Sequence, residues 1–135
     1  MATSAQYVAT PRISFGAVTT ADTSRTAPST VVTIFTAGSS GSRIDQIDLV
    51  GIGTTTASMI RLFIYDGANY SLWKEIPTLA VTPSGTASVW MSSISSSINS
   101  DVLPLIIPSG YSLRATINDT QTSSGVNIIA RGGDF

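Results

Sequence analysis

Apolar and polar positions alternate most clearly near the end of the chain. Tyr111, Leu113, Ala115 and Ile117 fall on one parity, with Ser112, Arg114, Thr116 and Asn118 on the other. That is the period-two signature of a strand with one dry face. Similar signals recur about every ten residues, separated by Gly, Pro, Asn, Asp and Ser clusters, as in a sandwich or barrel. They predict strands near Arg12–Val18, Thr30–Thr36, Arg43–Ile52, Ala57–Tyr65, Tyr70–Ile76, Thr86–Ile94, Tyr111–Asn118 and Gly125–Arg131. The best helical candidate, Ser92 to Asp101, is so rich in serine that a loop or single turn fits it better.

The punctuation between strands is specific. Asp66-Gly67, between two apolar runs, is a strong hairpin signal. "IPSGYSLR" (Ile107 to Arg114) places Pro and Gly so that the chain turns into a strand, and "TAGSSGS" (Thr36 to Ser42) reads as a flexible connector. About eight strands in this length predict an all-β, antiparallel β-sandwich, jelly-roll-like in arrangement. An immunoglobulin-like sandwich is the alternative. Residues 1–11 show little apolar periodicity and end in proline, so they read as a short extended N-terminal arm before a β-sandwich domain at 12–135.

Composition changes the picture in two ways. The chain has no cysteine and no histidine, which removes disulfides, thiolate chemistry, the commonest metal ligand and any Ser-His-Asp triad. Charged residues are only 11% of its 135 positions, while 21 Ser and 18 Thr supply small hydroxyls instead. A weakly charged surface of net charge −1 does little to repel copies of itself or a partner. With no basic cluster, nucleic acid is not an expected partner. No apolar run approaches the length of a membrane helix, so no membrane is expected either. The start of the chain also lacks the features of a signal peptide.

Motifs with chemistry are few. "SLWK" (Ser71 to Lys74) matches a Ser-x-x-Lys pattern, but in a strand positions three apart face opposite ways. The same spacing separates Asp45 from Asp48. Asp66, Asn69, Asn118 and Asp119 fall in turns, where such side chains cap their own backbone; no calcium-loop spacing is present. "RGGD" (Arg131 to Asp134) differs from Arg-Gly-Asp by a glycine, and its glycines read as a bend where the last strand ends, letting Phe135 tuck against the fold. Tyr65, Trp73, Trp90 and Tyr111 are dispersed and read as core or sheet-face residues before a sugar site. No cofactor, no metal and no catalytic residues are expected.

The stretch "RISFGAVTTADTSRTAPSTVVTIFTAGSSGSRIDQIDLVGIGTTTASMIRLFIYDG", together with "LIIPSGYSLRATI" and the closing "GGDF", resembles a family of small bacteriophage virion proteins. The resemblance covers most of the chain from about Pro11. It implies a capsid decoration or cement protein, made in the host cytoplasm and carried on the capsid surface of the virion. Such a protein binds the major capsid protein in an assembled head lattice, as a homo-oligomer, with a trimer the natural form at three-fold positions. On physical grounds the arm is the expected capsid contact: Ala2, Thr3, Ser4, Ala5, Gln6, Tyr7, Val8, Ala9, Thr10, Pro11 and Arg12. A tail or fibre module binding another virion protein or host glycans is the alternative reading. An enzyme is the least supported.

Overall fold

The computed structural model describes residues 8–95 and 103–135. Nine antiparallel strands make up its regular structure: β1 (Thr10–Val18), β2 (Val32–Thr36), β3 (Ser42–Gly51), β4 (Ser58–Tyr65), β5 (Tyr70–Thr78), β6 (Met91–Ser95), β7 (Leu105–Ile107), β8 (Ser112–Ile117) and β9 (Val126–Asp134). No helix occurs among the described residues.

The pairings are nested. β1 pairs β9, β2 pairs β8, β3 pairs β6 and β4 pairs β5, like one long hairpin. Wrapping that hairpin brings β9 onto β3 and β8 onto β4. The result is two sheets, β1-β9-β3-β6 and β2-β8-β4-β5, with short β7 beside the start of β3. This is jelly-roll topology. It sets aside the immunoglobulin-like order, in which the first two strands are neighbours.

The inner faces form one core. Ile44, Ile47 and Leu49 of β3 and Val126, Ile128 and Ala130 of β9 pack in it with Ile60 and Leu62 of β4 and Leu113, Ala115 and Ile117 of β8. Each large aliphatic buried this way contributes about 1.5–3 kcal/mol.

Several expectations need correction. The unpredicted strand is β7, whose flanking Pro104 and Pro108 lie just outside its three residues and cost it no ladder donor. β6 begins at Met91, not Thr86, because Ser84 accepts from the amides of Thr86 and Ala87 and donates its own amide to the Ala87 carbonyl, forming a turn. β2 begins at Val32 because the amides of Ser29 and Thr30 are taken by the Asp22 carboxylate. "TAGSSGS" is a tied turn: Gly41 N–H donates to Gly38 O, and Gly38 N–H donates to Ser42 Oγ.

The chain's last residues are also strand. Gly132 and Gly133 lie inside β9, paired with both β1 and β3. The register of β3 slips between Ile44 and Gln46, leaving Asp45 as the extra residue of a bulge. There the β3 backbone closes on β9 so tightly that a Cβ on Gly132 would lie 1.8 Å from the Arg43 carbonyl oxygen. The glycine pair answers close approach, not a bend. Phe135 follows with its amide donating to Gly41 O.

Candidate association surface

A strand ladder sorts side chains by rung. On the outer face of β1-β9-β3-β6, the pairings set Ile13, Arg131 and Gln46 side by side, with Ser95 buried at the β6 end of that rung. The next outward rung holds Phe15, Ile129, Asp48 and Ser93, and the one after it Ala17, Asn127, Val50 and Met91. Ile13, Phe15 and Met91 are 68%, 67% and 59% exposed. Ile13 and Phe15 at one edge of the sheet and Met91 at the other, with half-buried Ile129 and Val50 between them, give this face an apolar surface of the kind that marks interaction sites.

β1 is inverted relative to a simple amphipathic strand. Its apolar Ile13 and Phe15 point outward, while Ser14 and Gly16 point in. Crowding by β2 explains this: a Cβ on Gly16 would lie 2.6 Å from Val32 Cγ1 and 3.2 Å from Ile34 Cδ1. At Gly16 there is no room for a side chain on the inner side, while Arg12 and Val18, on the same parity, pack inward on either side of it. A glycine between two apolar residues was the one sequence signal for this surface, and by itself it does not say which side faces out.

Charges on the face are paired. Arg131 Nη2 lies 2.8 Å from Asp48 Oδ2, and Gln46 Nε2 donates to Asp48 Oδ1 at 2.8 Å. Arg43 Nε lies 2.9 Å from Asp45 Oδ1. Two shallow hollows flank the Arg131 side chain. One, of about 450 Å³, is lined by Asp48, Val50, Met91, Ser93 and Ile129; the other, of about 530 Å³, by Pro11, Ile13, Asp45 and Gly132. Asp45 and Asp48 thus both border this face, contrary to the three-apart expectation, because the bulge at Asp45 shifts the parity.

The residues expected to form the arm divide. Ala2, Thr3, Ser4, Ala5, Gln6 and Tyr7 lie outside the described residues. Val8 lies over Gly133, and Ala9 N–H donates to Asp134 O at 2.8 Å. Thr10, Pro11 and Arg12 are in β1, so strand pairing begins ahead of the boundary expected at residue 12. Pro11 faces a hollow. Arg12 is engaged internally: Nη1 donates to Thr36 O and Asp134 Oδ1, and its Cζ stands 4.4 Å from the Phe35 ring centroid. The Ser42 hydroxyl donates to the same carboxylate at 2.5 Å. Ser42 and Arg12 together hold the Asp134 carboxyl below its ordinary pKa.

The outer face of β2-β8-β4-β5 is built differently. Arg61 is 2% exposed there. Its Nη1 donates to Asp22 O at 3.3 Å, Nη2 to Asn118 Oδ1 at 3.0 Å, and Nε faces Glu75 at 3.4 Å. Glu75 also pairs with Arg25, so the β1–β2 connection is fastened over this sheet. At the hairpin end Arg114 lies 3.9 Å over the Tyr65 ring centroid and donates to Tyr70 Oη.

The remaining candidates find plain roles. Asp66 accepts from the amides of Ala68 and Asn69 in its own turn, as expected. Asn118 and Asp119 instead reach across to Arg61 and Ser58 on β4. Trp73, Trp90 and Tyr111 pack on or in the core. Ser71 and Lys74 do share a face, because a bulge sets them opposite Ile64 and Leu62, but no hydrogen bond joins them. Among the described residues no three carboxylates gather into a metal-binding group. No family model and no curated protein matches the chain.

Proposed function

We propose that this protein is a structural component of a bacteriophage virion, a capsid decoration protein that binds the assembled head lattice and stabilises it. One observation carries the reading: a small, weakly charged β-sandwich holds an apolar sheet face open to solvent, with its N-terminal segment entering at the rim of that face through β1. Association, not catalysis, is what such a surface offers. The resemblance of "AVTTADT", "GSRID", "RLFI" and "GGDF" to small virion proteins supplies the partner, the major capsid protein. These motifs fall in β1 and the connection after it, at the head of β3, in β4 and at the end of β9, so the likeness traces framework elements. The alternative is a tail or fibre module.

The test is rebinding. Purified protein should return to heads stripped of it, with occupancy falling only modestly between low and moderate salt, because few charges are available for the contact. Removing residues 2 to 7 leaves β1 intact and should weaken rebinding at least about tenfold, with an unchanged far-UV spectrum. If the full-length protein ignores such heads and binds tail fractions or host envelope glycans, the shell reading fails and the fibre reading replaces it.

A further inference from the structure

The open sheet face has a size pattern that singles out its occupant. On β1 the outward column reads Ile13, Phe15, Ala17: large, large, small. On β6, at the opposite edge, the open column reads Ser93 on the Phe15 rung and Met91 on the Ala17 rung, small then large, while Ser95 on the Ile13 rung is buried. The two columns stand three strand spacings apart, about 14 Å, so they do not serve each other within one chain. They are complements held at arm's length.

We propose that a second copy of this chain covers the face, related by a two-fold axis parallel to the strands and midway between β9 and β3. That operation keeps each rung on its own level and exchanges the strands. β1 of one copy then lies across β6 of the other, and β9 across β3. Phe15 drops over Ser93 into the hollow walled by Val50 and Met91, and Met91 meets Ala17. An isologous interface needs knob and hole within one patch, and this face carries both.

Charge fits as well. Arg131 and Asp48 sit on β9 and β3, the strands that flank the axis. In the pair, each Arg131 approaches the other copy's Asp48 as well as its own, and opposite signs alternate across the centre. A net charge of −1 per chain adds no long-range obstacle. Four strands and up to nine residues give a footprint of about 500 Å² in projection. Side-chain relief brings this near the ~800 Å² that each partner buries in a standard interface. Because the axis runs along the strands, both N-terminal segments leave from the same end of the pair.

The dimer uses the same open face as the shell reading, so in the pair the lattice contact falls to the two N-terminal segments that leave from one end. Heads are not needed to test the dimer, and it would stand even if the protein proved to belong to a tail. Sedimentation velocity of the full-length protein over a wide concentration range should show a monomer–dimer equilibrium. Phe15→Asp charges the knob and Ser93→Arg fills the hole; each should weaken dimerisation at least about thirtyfold. Leu79→Asp, at an exposed apolar residue off this face, should leave it unchanged. The decisive arm is an exchange of volumes. Ala17→Met alone should weaken the dimer, and adding Met91→Ala should restore it, although the two residues lie on opposite edges of one chain's sheet. A monomer at every concentration, a trimer, or a dimer indifferent to both Phe15→Asp and Ser93→Arg would each overturn the proposal, as would an exchange variant no better than Ala17→Met.

Discussion

The two outer faces of this sandwich are made from strands of similar length, yet they solve opposite problems. On β2-β8-β4-β5, polar groups are taken out of water and satisfied: Arg61 is buried with Asp22, Asn118 and Glu75 around it, beneath the β1–β2 connection. On β1-β9-β3-β6, apolar groups are left in water with nothing from the described chain above them. A polar outer face is ordinary for an antiparallel sheet. The teaching case is the other one, where Ile13 and Phe15 are displaced outward by crowding at Gly16. The first face spends its side chains on the fold; the second keeps them for a contact.

The sharpest way to break this contrast is to remove Arg61. Arg61→Ala should cost about 3 kcal/mol in urea unfolding, since it strips a buried cation from its partners and loosens the 19–31 connection. A loss below about 1 kcal/mol would mean that the connection is held by something else.

Acid probes the same face more gently. Arg25, and then Arg61, depress the pKa of Glu75. A depressed folded-state value stabilises the protein above the ordinary carboxylate value of 4.5, and that stability is lost as pH falls through the lower, folded-state value. Thermal melts from neutral pH downward should therefore decline below about pH 4.5, in part through Asp22, Asp66 and Asp134, whose values are also lowered. Glu75→Gln should flatten that decline by its own share. An unchanged acid limb would remove Glu75 from the account.

The smallest effect belongs to the open face. At high dilution, where no dimer persists, Phe15→Ser should leave the unfolding midpoint within about 0.5 kcal/mol of the parent protein. A larger loss would place Phe15 in the fold and erase the difference between the faces.

Much of this was legible in the alternation. The 111–118 run, the Asp66-Gly67 hairpin and the spacing of turns were readable as strands and turns because local chemistry decides them, and their number suited two packed sheets. The strand order rests on pairings far apart in sequence. The surface was less legible. Bulges at Asp45 and in β5 invert parity, and a bulge depends on the strand opposite it. The direction of β1 was hidden for a similar reason: Phe15 faces out because Val32 and Ile34 press on Gly16 from another sheet. β7 was hidden by its own prolines, which look like breakers until their placement outside the ladder is seen.

One feature of the topology sets the order of events when the chain folds. β9 lies between β1 and β3, and Arg12 bonds to Asp134 across 122 positions of sequence. Until β9 arrives, β1 has no strand partner in its sheet, and β3 shows an unpaired edge along its whole length. Such long-range closure is slow, in the millisecond-to-second range for sandwiches of this kind. During that interval the half-built sheet is a template for the wrong strand, from another copy as readily as from its own chain. A chain of net charge −1, whose copies repel one another little, is open to that hazard, so its yield in soluble form should depend on how fast β9 reaches its slot.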